Sequence, residues 1–192
     1  DLVRSRGLGD VYKRQDTNNT KDRTMNRTYE LTIMYDEAQE SPRDWENLGI
    51  MACAHGSYTL GDTECSPEDM PKEAIAVLPL YLYDHGGITM NTTGFSCQWD
   101  SGQVGYIYTT QEKIEECFGK NPPTEAKIVE MLKNEVGVYD QFIRGDVFGY
   151  TLESSDDSVV DVDSCGGFYG YDWENNGLLD SLPDDLVQHI KT

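Results

Sequence analysis

The side chains best equipped for chemistry are five cysteines, Cys53, Cys65, Cys97, Cys117 and Cys165, and the histidines His55 and His85. Cys53-x-His55, His85 and Cys97 supply the ligand types of a zinc site. A structural zinc site usually opens with two cysteines two to four residues apart, and no such pair is present. Cys97, His85 and Asp100 supply the types for a nucleophile, a base and an orienting carboxylate. A chain with this many Cys and His offers such a trio without any catalytic meaning. Asp161-x-Asp163-x-Cys165-Gly166 imitates the start of a calcium loop, but Asp172 stands where a bidentate Glu is needed. Asp172-x-Glu174-x-Asn176-Gly177 starts similarly and reaches Pro183 at that position. Phosphate-cradling glycine loops, HExxH and GxSxG are absent. The expectation is therefore no catalytic residue, no metal, no cofactor and no enzyme.

Charge is the stronger signal. Against 15 Lys and Arg stand 35 Asp and Glu, a formal charge of −20 on 192 residues. Direct nucleic-acid binding is excluded as a main activity, because that affinity comes from cations neutralising phosphates. An anionic membrane surface is disfavoured likewise, and no apolar run reaches the roughly 20 residues of a membrane span. Between Arg144 and Lys191 there is neither Lys nor Arg. That stretch carries Asp146, Glu153, Asp156, Asp157, Asp161, Asp163, Asp172, Glu174, Asp180, Asp184 and Asp185. Alternate residues of a strand lie about 6.6–6.8 Å apart on one face. DNA phosphates step by about 3.4 Å per strand, so carboxylates on a strand and its turns can approximate a phosphate track. The expected partner is a basic, nucleic-acid-binding protein.

A second reading rests on two glycine- and aromatic-rich segments, SCQWDSGQVGYIY (96–108) and SCGGFYGYDW (164–173). Trp99, Tyr106, Tyr108, Phe168, Tyr169 and Tyr171 could line a pocket for a nucleotide or other small ligand. The plainer account is a sheet core with tight bends, since glycine permits close approach and Tyr and Trp supply bulk with a polar tip.

The elements that must position these residues read as α+β. Alternation predicts strands at 28–35, 75–83, 88–94 and 103–109, and short apolar runs predict others at 48–54, 147–152 and 159–171. Trp45 is the expected anchor of the loop before residue 48. Pro79 predicts an edge or bulged strand. Thr109-x-x-Glu112 predicts a capped helix at 110–118 ending at Gly119. Thr124 opens a longer one with a Val129, Leu132, Val136, Tyr139, Ile143 stripe, ended by Gly145. Pro183 suits the first turn of a last short helix. A mainly antiparallel sheet with two or three helices packed on one face fits this order.

Residues 1–15 carry a net positive charge unlike anything downstream and resemble translated sequencing-adapter read-through. Residues 1–24 are expected to be a non-native or disordered tail, with Met25 the first plausible start and 25–192 a single acidic domain. The odd, widely spaced cysteines read as reduced thiols, mostly small core residues, in a cytoplasmic setting.

The strings SPRDWENLG (41–49), LPLYLYDHGGITM (78–90), SCQWDSGQVGYIY (96–108) and VDSCGGFYG (162–170) resemble those of a family of phage and mobile-element proteins. The family brings no assigned catalytic residues. The resemblance implies a small accessory protein acting inside a bacterial host cell. In size, charge and context the chain is similar to phage anti-restriction and anti-CRISPR proteins that mimic DNA. The partner implied is a CRISPR effector or restriction nuclease.

Overall fold

A computed structural model describes residues 11–12, 29–65, 73–154 and 163–183. They group into two compact units, where one domain over 25–192 was expected from sequence. One unit is split in sequence, Asp1–Gln39 with Asp146–Thr192; the other, Glu40–Gly145, is inserted between its halves. The division follows from strand pairing. β2 (Tyr29–Tyr35) finds its partner in β8 (Val147–Ser154), with Tyr29 opposite Ser154 and Tyr35 opposite Phe148. The chain between them is free to build a core of its own.

The inserted unit holds β3 (Ile50–Cys53), β4 (Thr63–Glu64), β5 (Ala74–Asp84), β6 (Ile88–Asn91), β7 (Ser101–Thr110), α1 (Gln111–Phe118) and α2 (Glu125–Arg144). Its sheet runs β4-β3-β7-β5-β6, antiparallel except for the β3–β4 pair. Alternation puts Ala76, Leu80 and Leu82 of β5 and Ile107 of β7 into one cluster with Met51. Onto that cluster α1 sets Ile114, and α2 sets Ile128, Leu132, Val136 and Tyr139. The α+β, mainly antiparallel architecture expected from sequence is the one observed. Val129 and Ile143 only flank the core, and Ile128 takes the place expected for Val129.

Local chemistry sets the boundaries. Thr124 caps α2 by accepting from Lys127 N, and Gly145 ends it at φ 74°, a left-handed conformation that favours glycine. The cap of α1 is Thr110, not Thr109. Thr109 still belongs to β7, is fully buried, and leaves its Oγ1 without a partner. Pro79 lies in an interior strand, but beyond the part of β5 that pairs with β6, so its ring meets one neighbouring strand only. Between Leu80–Gly105 and Tyr81–Gln103 the register shifts, with Val104 the extra residue. Gly105 is required there, since a Cβ would sit 1.9 Å from the Ala52 carbonyl oxygen.

The split unit has the sheet β1-β2-β8-β9, with β1 (Val11–Tyr12) and β9 (Asp163–Tyr169) at its edges, all pairs antiparallel. Val11 and Tyr12 of the expected tail thus pair with Thr32 and Leu31; the rest of 1–24 lies outside the described residues. One face carries Leu31, Ile33, Phe148, Tyr150, Leu152 and Phe168. The segment after β9 folds over it with Leu178, Leu179 and Leu182. A short 3-10 helix, Leu179–Ser181, precedes Pro183, and the helix expected beyond Pro183 lies outside the described residues.

Candidate functional site

Residues 29–39, 146–154 and 163–183 of the split unit contain nine carboxylates and neither Lys nor Arg. Three of the nine are tied into the fold. Asp36 accepts from Gly167 N at 2.9 Å and Ala38 N at 3.0 Å. Asp163 accepts from the Tyr150 hydroxyl at 3.3 Å. Asp146 is 7% exposed, so this member of the expected surface set is withdrawn from the surface. Its carboxylate is hydrogen-bonded by Tyr171, whose hydroxyl lies 3.1 Å from that of Tyr35. The Tyr35 contact, burial and Asp146 together push the Tyr171 phenol well above its ordinary value.

The exposed members are Glu153, Asp163, Asp172, Glu174 and Asp180; Asp156, Asp157, Asp161, Asp184 and Asp185 lie outside the described residues. The expected track along one strand face is not formed by the described part of β8 or β9. Each of these strands contributes a single exposed acid, and the two acids face opposite ways. Asp163 pairs with Leu152 on the core side, while Glu153 pairs with Glu30 on the other. Two like charges directly opposite each other are destabilising. Asp172 serves its own turn, with Asn175 Nδ2 donating to Oδ2 at 2.9 Å.

The six aromatics proposed as a ligand pocket divide between the units. Trp99, Tyr106 and Tyr108 belong to the inserted unit; Phe168, Tyr169 and Tyr171 belong to the split one. Phe168 is core, and Tyr171 packs edge-on to Phe148 at 4.8 Å. Tyr106 and Tyr108 are half-buried on β7. Tyr171 is still 55% exposed, and Trp99 stands almost wholly in water, 96% exposed.

Beside Trp99 the structure gathers residues the sequence had scattered. Cys97 Sγ donates to Asp100 Oδ2 at 3.4 Å, and His85 Nδ1 lies 3.5 Å from that same oxygen. The carboxylate therefore stands in the middle, where nucleophilic catalysis needs the imidazole. His55 is exposed while Cys53 is buried in the core, so the Cys53-x-His55 pair is divided. Among the described residues no three His, Cys, Asp or Glu converge to hold a metal ion. Cys53 is also the one core cysteine; Cys117 and Cys165 are exposed, correcting the expectation of mostly core thiols. A thiol packs well in a core, but these two lie on a helix surface and a sheet edge.

Sequence reasoning missed the most connected charged group. Arg43 follows the cap residue Ser41, and its side chain is only 6% exposed. It grips Asp62 through Nε at 2.9 Å and Nη2 at 2.6 Å, Glu135 through Nη1 at 3.1 Å, and the Gly49 carbonyl at 2.6 Å. Burial alone would lower its pKa, but Asp62 and Glu135 together hold it above the ordinary value. Glu135 Oε1 also accepts from Leu48 N, and Asp62 Oδ2 from Met51 N. Arg43, not the half-exposed Trp45, anchors this loop. A basic residue directly after a Ser-Pro pair was the only local hint.

No protein-family model, curated protein or solved structure matches the chain. No helix among the described residues is long and apolar enough to cross a membrane.

Proposed function

We propose that the protein is an inhibitor that occupies the cationic nucleic-acid groove of a defence protein, a CRISPR effector or restriction nuclease, inside a bacterial host. The observation that carries this reading is the described split unit, with nine carboxylates and no Lys or Arg. Charge that serves only solubility is satisfied with both signs interspersed. A surface built from described residues that lack one sign projects a negative field that steers a basic partner and speeds its encounter. The Glu30–Glu153 pair favours the same reading, because folding gains nothing from two carboxylates set opposite each other. Presentation is by neighbouring strands and the 171–183 segment rather than by alternate residues of one strand.

The test is nuclease inhibition against a DNA competition curve, at two salt concentrations. Wild type should inhibit, compete with DNA, and weaken as salt rises. A Glu153→Gln, Asp172→Asn, Glu174→Gln, Asp180→Asn variant should inhibit at least tenfold less, chiefly through slower association. A companion carrying Asp156→Asn, Asp157→Asn and Asp161→Asn tests the rest of the run. Inhibition unchanged in both variants would sink the mimicry reading.

A further inference from the structure

A cleft lies at one end of the inserted unit's sheet, lined by residues of that unit. Its walls are Ala54–Gly56 after β3, Asp84 at the end of β5, and Trp99–Val104 leading into β7; it encloses about 450 Å³. The walls are pinned by backbone bonds from Asp84 N to Asp100 O and from Ala54 N to Val104 O, both 2.8 Å. Trp99 stands at this cleft with 96% of its surface in water. Packing therefore does not explain the indole.

Two carboxylates, Asp84 and Asp100, line the same cleft. Asp84 is hydrogen-bonded by the Tyr58 hydroxyl, whose pKa rises through that contact, and the Tyr58 ring stacks on His55 at 5.0 Å. Asp100 is held by Cys97 and His85. Among the described residues no Lys or Arg lines the cleft. An exposed indole and two carboxylates on one cleft are complementary to a planar cation. A guanidinium can stack on the indole while its N–H fork meets a carboxylate. A space of this size exceeds what a metal ion needs and has room for a guanidinium group.

We propose that this cleft receives an arginine side chain presented by a protein partner. The source is a protein rather than a free small molecule because an open indole cannot enclose a ligand. Small-molecule sites bury most of their ligand's surface, whereas a protein brings the surrounding surface that excludes water around an aromatic anchor.

The experiment titrates full-length protein with a hexa-arginine peptide, reading tryptophan fluorescence and, by calorimetry, the dissociation constant. Hexa-citrulline, the neutral isostere, is the control. Trp99→Ala should weaken binding about tenfold and abolish most of the fluorescence change, with the melting temperature unaltered because the ring packs on nothing. Asp84→Asn with Asp100→Asn should weaken it at least as much, and hexa-citrulline should not bind. The Glu153, Asp172, Glu174, Asp180 variant should keep the Trp99-dependent fluorescence change, which separates this site from the inhibitor reading. Equal binding of hexa-arginine to wild type and Trp99→Ala would overturn the proposal. So would equal binding of the citrulline peptide, or a signal lost only in the split-unit variant.

Discussion

The two units solve the same problem, a carboxylate inside the fold, in different ways. The inserted unit interleaves cations with its acids and places one of them, Arg43, between Asp62 and Glu135. The described part of the split unit has no cation to use. The acids it ties into the fold, of which Asp146 is the buried one, are met by neutral donors instead: Gly167 N on Asp36, the Tyr150 hydroxyl on Asp163, and Tyr171 on Asp146. The exclusion of positive charge thus reaches beneath the surface. A unit selected for stability alone would gain from a guanidinium at such a place, because a hydrogen bond between charged groups is stronger than one to a neutral donor.

The largest contrast should appear in thiol chemistry. Burial, helped by Asp62, pushes the Cys53 thiol up to about 12, so almost no thiolate exists at pH 8. Cys165, exposed on β9, should alkylate with iodoacetamide at least about a thousandfold faster. Peptide mapping after timed labelling reads both sites. Comparable rates would mean that the inserted unit's core opens freely.

Next in size is the charge network. Arg43→Ala leaves Asp62 and Glu135 facing each other without a cation and should cost about 3–5 kcal/mol in urea unfolding. A loss under about 1 kcal/mol would show that the two units do not differ in their use of cations. The two cores come next. Leu132 and Leu178 are both fully buried, one in each unit, and each Ala substitution should cost about 2–5 kcal/mol. Trp173 packs on the split unit's cluster and reports on it. Leu178→Ala should shift the Trp173 transition more than Leu132→Ala does. Identical shifts would mean that the units unfold as one.

Tyr171→Phe removes the hydroxyl that meets the buried Asp146 and should cost about 1–3 kcal/mol. The smallest effect has the opposite sign. Glu30→Gln should stabilise the protein by about 0.2–1 kcal/mol at low salt by relieving its pairing with Glu153. A destabilised Glu30→Gln would show that the pair serves the fold, and would remove one support for the inhibitor reading.

Much of the scaffold was legible in the residues. The Thr124 cap, the spacing of Leu132, Val136 and Tyr139, and Gly145 each act within a few residues, so α2 could be placed to within a position or two. Thr109 shows where local reading slips. Both Thr109 and Thr110 are competent caps; the strand runs one residue further than the local pattern suggests, to Thr110 opposite Ala74, and its last residue caps the helix while Thr109 is buried opposite Ala76. The cleft was half legible: Cys97, His85 and Asp100 were seen together as residue types, but not that the carboxylate would stand in the middle.

The amino-acid sequence by itself determined the charge of each segment, the helices, most of the strands and the run without cations. These are set by side-chain type and by neighbours three or four places away. Tertiary structure decided that β2 would pair with β8 and divide the chain into two units. It decided that Asp146 would be buried while Glu153 stayed exposed, that Arg43 would find Asp62 and Glu135, and that Trp99 would be left in water. Burial depends on which distant residues arrive to cover a side chain, and a carboxylate or an indole carries the same letter whether covered or not.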